Sequence, residues 1–120
     1  GKVTAFLEWN AQWGDSLGML QDMQDGTGIV PAALLNRPVL GPRLLFFYSE
    51  YLEVARSRTY SEGGGPYPLL WGPFMDYCQI HGIEHQDRAW LWAGIKLIDD
   101  VQVELARKRL KSEIDAAKNK

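Results

Sequence analysis

The sequence predicts an all-α protein: a small single-domain bundle of four to five helices with a long C-terminal helix. Three observations carry that expectation. Apolar residues recur at three- and four-residue spacing in four separate stretches. Glycine and proline separate those stretches around residues 25–28, 38–42 and 63–68. No segment makes a convincing strand, since the weak alternation in "VTAFLEW" runs into polar residues without a hairpin turn.

The first helical stretch is "TAFLEWNAQWGDSLGMLQDM", with Phe6, Leu7, Trp13, Leu17 and Leu20 on one face and Thr4 placed to cap its start. Gly14, Asp15 and Ser16 divide it into two pieces, Gly18 weakens the second piece, and "DGTG" stops it. Pro31 starts a short turn through Leu35, which Pro38 ends. Pro42 opens "PRLLFFYSEYLEVARSR", in which Leu44, Phe47, Tyr48, Tyr51, Leu52 and Ala55 form an apolar stripe. Arg43, Glu50, Glu53 and Arg56 lie off that stripe.

The loop "YSEGGGPYP" is expected to act as a hinge or spacer, because three glycines and two prolines preclude a regular element. Unlike a phosphate-binding loop, it has no lysine following it, its prolines interrupt the backbone donors, and a helix rather than a strand precedes it. After it, Leu70, Phe74, Tyr77 and Cys78 share a face of a helix that begins near Trp71 or Gly72 and ends at Gly82. The last helix, from His85, sets Leu91, Ile95, Ile98, Val101 or Gln102, and Leu105 inward. Trp90, Leu97 and Val101 widen its stripe, as burial on two sides requires. From Arg107 the residues are mostly charged, so 107–120 is expected to project as a solvated or partner-seeking end.

At 120 residues the chain fits one domain, 1–120, with a sizeable core and no need of disulfides or metals as staples. A net charge of −2 gives no basic field for nucleic acid or an anionic membrane. No apolar run of 18 or more residues is present to span a bilayer, and no signal-peptide pattern opens the chain. The single Cys78 excludes an internal disulfide and a multi-cysteine zinc site, and it fits a reducing cytoplasm.

"HGIEH" at 81–85 spells the inverted zincin pattern, with His81 and His85 as ligands and Glu84 as general base. That chemistry needs both histidines on one helix face. Gly82 reads instead as a helix cap, and Glu84 with Asp87 as the acidic first turn of the next helix. The two histidines are therefore expected on different helices. Asp99 is no third ligand for His85, being about 20 Å further along the last helix. Asp99 and Asp100 point about 100° apart and are expected to form a solvated face rather than a catalytic pair. Cys78, flanked by Phe74 and Tyr77, is expected to be a buried thiol. No catalytic, cofactor or metal site is expected.

The stretches "FFYSEYLEVARSRTY", "GGGPYPLLW" and "YCQIHGIEHQDRAWLWAGIKLIDDVQVELA" together resemble the small tail assembly chaperones of long-tailed, siphovirus-like bacteriophages. The resemblance covers Tyr48 to Arg109, about half the chain. It implies a non-enzymatic protein of the host cytoplasm without cofactors, which binds the tape measure protein, coats its apolar length and helps recruit tail tube subunits. It is compatible with a homo-oligomer joined through Trp90, Trp92 or the 107–120 helix. Trp71, Trp90, Trp92, Leu110 and Ile114 are the candidate partner-binding residues. Two alternatives stand beside this reading: a helical adaptor or regulatory domain with exposed aromatics, and a small metal-dependent hydrolase using His81, Glu84 and His85.

Overall fold

The computed structural model describes residues 1–119 and is all-α, ending in one long helix. Its order is α1 (Lys2–Trp13), a 3₁₀ turn (Gly14–Ser16), α2 (Leu17–Thr27), α3 (Ala32–Leu35), α4 (Pro42–Val54), a second 3₁₀ turn (Ala55–Ser57), α5 (Trp71–Ile80) and α6 (His85–Lys118). The described residues form no strand, only an isolated antiparallel bridge between Tyr60 and Pro66. The chain divides into two compact units, Gly1–Gly41 and Pro42–Lys120.

In the first unit the break at Gly14–Ser16 falls where the sequence places it, as a tight turn between α1 and α2. Thr4 does not cap α1: the helix already begins at Lys2, with Gly1 at the cap position. Phe6, Leu7, Trp9 and Leu20 are buried, whereas Trp13 and Leu17 are only half-buried. Trp9 is the buried tryptophan of this unit, and its indole N–H donates to the Ala33 carbonyl at 2.9 Å. The Arg37 guanidinium lies 5.2 Å from the centre of the Trp9 ring. Gly28, at φ +73°, ends α2 in the left-handed conformation and returns its N–H to the Gln24 carbonyl at 2.8 Å.

The second unit packs α4, α5 and the first half of α6 together. Its buried side chains include Phe47, Tyr51 and Val54 from α4, Phe74 and Cys78 from α5, and Leu91, Ile95, Ile98 and Val103 from α6. Phe74, Ile95 and Ile98 are fully buried, each worth roughly 1.5–3 kcal/mol in removed apolar surface. Gly94 is what lets α4 and α6 approach: a Cβ there would collide with the Phe47 ring. The stripes differ from expectation at their edges. Leu52, Leu70, Trp90 and Leu97 are 48%, 61%, 52% and 53% exposed, while Val54 and Leu69 fill the interior. A helix packed on a limited arc buries a narrow stripe, and residues flanking it remain at the rim. Leu70 is excluded for a different reason, as it precedes the first turn of α5 with an extended backbone.

At 34 residues α6 is the longest element, about 51 Å at the helical rise. Leu110 is half-buried, and Lys111 through Asn119 are all exposed.

Candidate functional site

The joint between α5 and α6 places the two histidines. His81 follows the last residue of α5, Gly82 adopts φ +66°, Glu84 precedes the first turn of α6, and His85 opens that helix. The Ile83 N–H donates to the Cys78 carbonyl at 2.9 Å, and the Gly82 N–H to the Gln79 carbonyl at 3.4 Å. This is the paired bonding of a Schellman cap. The His81 ring lies against Tyr77, with centroids 4.3 Å apart, and the Arg88 Nε–H donates to the Ile83 carbonyl at 3.0 Å. His81 and His85 thus do not share a helix, as the glycine implied. Among the described residues no group of three or more His, Cys, Asp or Glu side chains is placed to hold a metal ion.

Asp99 overturns the sequence reading of a solvated Asp99–Asp100 face. Asp100 is exposed, but Asp99 has no solvent exposure at all. Its Oδ1 accepts from Arg58 Nη2 at 2.5 Å, and its Oδ2 accepts from the Leu69 N–H at 2.9 Å and from Lys96 Nζ at 3.2 Å. Burial pushes the carboxyl up, but the Arg58 hydrogen bond, the Leu69 N–H and the two cations outweigh it and hold it below its ordinary value. Arg58 also donates to the Tyr51 hydroxyl at 2.7 Å and to the Tyr67 carbonyl at 2.8 Å.

The glycine-rich loop is therefore fastened rather than free. The Ser61 N–H donates to the Gly65 carbonyl at 2.8 Å, and the Tyr67 N–H to the Thr59 carbonyl at 3.0 Å. Arg58 and Asp99 then tie the loop to α4 and α6. Nothing in the local glycine and proline pattern announces those bonds, because their partners lie up to 41 residues away. A second polar tie joins α5 to α4, where the Tyr77 hydroxyl donates to Glu50. Burial first, and then that carboxylate, raise the Tyr77 phenol above its ordinary value. Cys78 is buried, which pushes its thiol up and leaves it no sign of nucleophilic activation.

This rigid frame carries aromatic clusters on two sides of α6. Trp90 and Trp92 are two positions apart, about 200° around the helix. Trp90 stacks on Phe46 with centroids 6.0 Å apart and tilts against Phe47 at 4.7 Å. Trp92 meets Trp71 edge-on at 5.4 Å and Phe74 at 4.8 Å, and Lys96 Nζ lies 5.8 Å from its ring. Trp71 and Trp90 are about half exposed, at 47% and 52%, as is Ile114 at 46%, whereas Trp92 and Leu110 are half-buried.

Beside the Phe46–Trp90 stack lies a groove of about 320 Å³. Phe46, Ile83, Trp90 and Leu91 supply its apolar lining, and Glu50, Glu84 and Asp87 its acidic rim. A second hollow of about 380 Å³ lies between the end of α4 and α5, lined by residues that include Val54, Pro73, Tyr77, Ile80 and His81. The sequence reading named Trp90 but missed Phe46, Ile83 and the rim. The one available signal was the doubled Phe46–Phe47, since adjacent residues point about 100° apart on a helix and a narrow buried stripe leaves one of such a pair at its rim.

No helix among the described residues is long and apolar enough to cross a membrane. No curated protein and no solved structure matches the chain. A family model described as "Phage tail assembly chaperone" matches residues 23–103. That match includes α4, α5, the fastened loop and the core half of α6, and it reaches back through the end of α2 and α3. The chain belongs to the phage tail assembly chaperone family.

Proposed function

We propose that this chain is a non-enzymatic chaperone of the host cytoplasm that binds the tape measure protein and assists assembly of the tail tube. The observation that carries the proposal is the family match over residues 23–103. It is supported by large side chains left in the open on a well-packed helical frame: Phe46, Trp71, Trp90 and Leu97. Half-exposed aromatics on a rigid support suit an amphipathic partner helix, whose apolar face they cover without a large ordering cost. Trp71, Trp90 and Trp92 are the proposed anchors, with Leu110 and Ile114 extending the surface along α6.

Co-expression with the tape measure protein encoded by the same phage tests this. The partner is expected to stay soluble and co-purify with the chain. Phe46→Ala with Trp90→Ala is expected to lower the affinity at least about 30-fold, the effect of losing one strong interface anchor. An insoluble tape measure protein with nothing co-purifying would overturn the proposal.

A further inference from the structure

The glycine-rich loop is fastened unevenly along its length. Both of its ends reach one fully buried carboxylate, since Arg58 Nη2 and the Leu69 N–H donate to the two oxygens of Asp99. The Tyr67 N–H closes this root by donating to the Thr59 carbonyl. Beyond the root the chain forms a small hairpin, with a bridge between Tyr60 and Pro66. At its turn the Gly65 N–H donates to the Ser61 hydroxyl at 3.1 Å. These bonds hold the hairpin to itself. Among the described residues no hydrogen bond joins residues 60–66 to α6. The tip meets that helix by van der Waals contact: a Cβ on Gly65 would stand 3.5 Å from Leu110 Cδ2.

Asp99, Val103, Ala106 and Leu110 follow at steps of four, three and four residues, so they share one face of α6. The root holds one end of that face and the tip the other, about 16 Å apart. The extended chain from Leu69 to Gly65 spans about 13 Å, so the hairpin runs along the face between them. Val103 is buried and Ala106 and Leu110 are half-buried, whereas residues 111–119 of the same helix are all exposed. Pro66 and Leu69 are buried, and Tyr60 and Tyr67 are exposed. The hairpin thus has an inner and an outer side.

We propose that residues 60–66 are a lid, hinged at the Asp99 clamp, which when closed covers Leu110 and the face of α6 that leads to it. The contrast between root and tip decides which part moves. Detaching the root strips a buried carboxylate of its counter-charge. Lifting the tip parts apolar contacts and leaves the hairpin's own hydrogen bonds made. The role of the lid rests on the function proposed above, in which Leu110 and Ile114 take part in binding a partner helix. The closed lid covers the first and leaves the second open, so the partner gains the stretch from Val103 to Leu110 only when the tip lifts. Apparent affinity then scales with the fraction of molecules whose lid is open.

Thiol labelling of an Ala106→Cys variant tests the lid with no partner present. Cys78 is fully buried, so it reports global unfolding within the same molecule. The introduced thiol should react at least about 100-fold faster than Cys78, because local opening costs less than unfolding. Deleting residues 62–65 should speed its labelling further. Gly65→Ala should slow it at least about threefold, since the added methyl meets Leu110 and the backbone there is not left-handed. Tape measure binding should weaken by a similar factor in Gly65→Ala and tighten in the deletion. Circular dichroism checks that each variant keeps its helices, and Leu110→Cys is the second probe if Ala106→Cys does not. Labelling at the Cys78 rate, labelling unchanged by the deletion, or Gly65→Ala labelled as fast as the intact loop would each overturn the lid. Altered labelling with unaltered tape measure affinity would overturn its control of binding. A parent chain that binds no tape measure protein overturns the functional reading, and labelling still decides whether the lid exists.

Discussion

Replacing Arg58 with alanine removes the main counter-charge of a carboxylate that has no access to water. Asp99 is 0% exposed, and the Arg58 side chain is 7% exposed. The substitution leaves Asp99 with only the Leu69 N–H and Lys96, and it strips a donor from the Tyr67 carbonyl and the Tyr51 hydroxyl. Breaking a buried pair by deleting one partner costs about 3–5 kcal/mol. Against a total stability of about 5–15 kcal/mol, that is about a fifth or more of the fold's margin. At roughly 4–8 °C per kcal/mol, Arg58→Ala should lower Tm by more than about 10 °C.

Acid titration provides an independent check on the same pair. The folded Asp99 carboxyl lies below its ordinary value, so the unfolded chain takes up its proton first as pH falls. Its contribution is therefore complete above about pH 4 and disappears as pH drops through the folded pKa. Asp99→Asn should lose stability at neutral pH, and its gap to the parent chain should narrow below about pH 4. Urea and thermal unfolding, followed by circular dichroism from acid to neutral pH, measure both effects. The reasoning fails if Arg58→Ala unfolds within about 1 kcal/mol of the parent, or if Asp99→Asn keeps the parent's acid profile.

Three further outcomes are expected. Gly94→Ala should destabilise by about 1–3 kcal/mol through collision with Phe47; a Tm at or above the parent's would count against the close approach of α4 and α6, since alanine is otherwise the better helix former. Gly82→Ala meets open space but must hold φ +66°, so equilibrium unfolding should report a loss of about 1–2 kcal/mol from backbone strain alone. In an alkaline spectrophotometric titration, fewer than five phenolates should form by about pH 11. Burial pushes Tyr51 up to about 12, and Tyr77 is also raised by burial and Glu50. Tyr77→Phe should remove one of the late-titrating groups, and complete ionisation at the ordinary phenol pH would contradict the Tyr77–Glu50 bond.

Much of the fold was legible in local pattern. Gly28 and Gly82 stop helices because only their backbones take a left-handed turn cheaply. Gly14–Ser16 interrupts the first helical stretch, and Phe74, Cys78, Leu91, Ile95 and Ile98 are buried as their spacing indicates. Periodicity was less informative at the edges of each stripe. Trp90 and Leu97 have the apolarity and the register of interior residues, yet half of each faces solvent. A spacing rule identifies the apolar face of a helix but not how many neighbours cover it.

The candidate groove was legible only in pieces. Trp90 stood out by type, but Phe46 and Ile83 join it from α4 and from the α5–α6 joint. Their juxtaposition depends on how α4 crosses α6, which turns on the contact between Phe47 and Gly94. Asp99 was misread for the same reason. An aspartate beside a second aspartate on a helix is most simply solvated, and its partners Arg58 and Leu69 lie 41 and 30 residues away.

By itself the sequence determined the all-α class, the places where helices stop and the separation of His81 from His85. Those features arise from interactions between near neighbours: backbone caps, side-chain spacing and the conformational freedom of glycine. Only the tertiary structure decided which aromatics stay open, that the glycine-rich loop is tied down, and that Asp99 is buried as an ion. Each of those depends on a partner distant in sequence, and a buried charge is tolerable only where the fold delivers its counter-charge and hydrogen-bond donors to the same point.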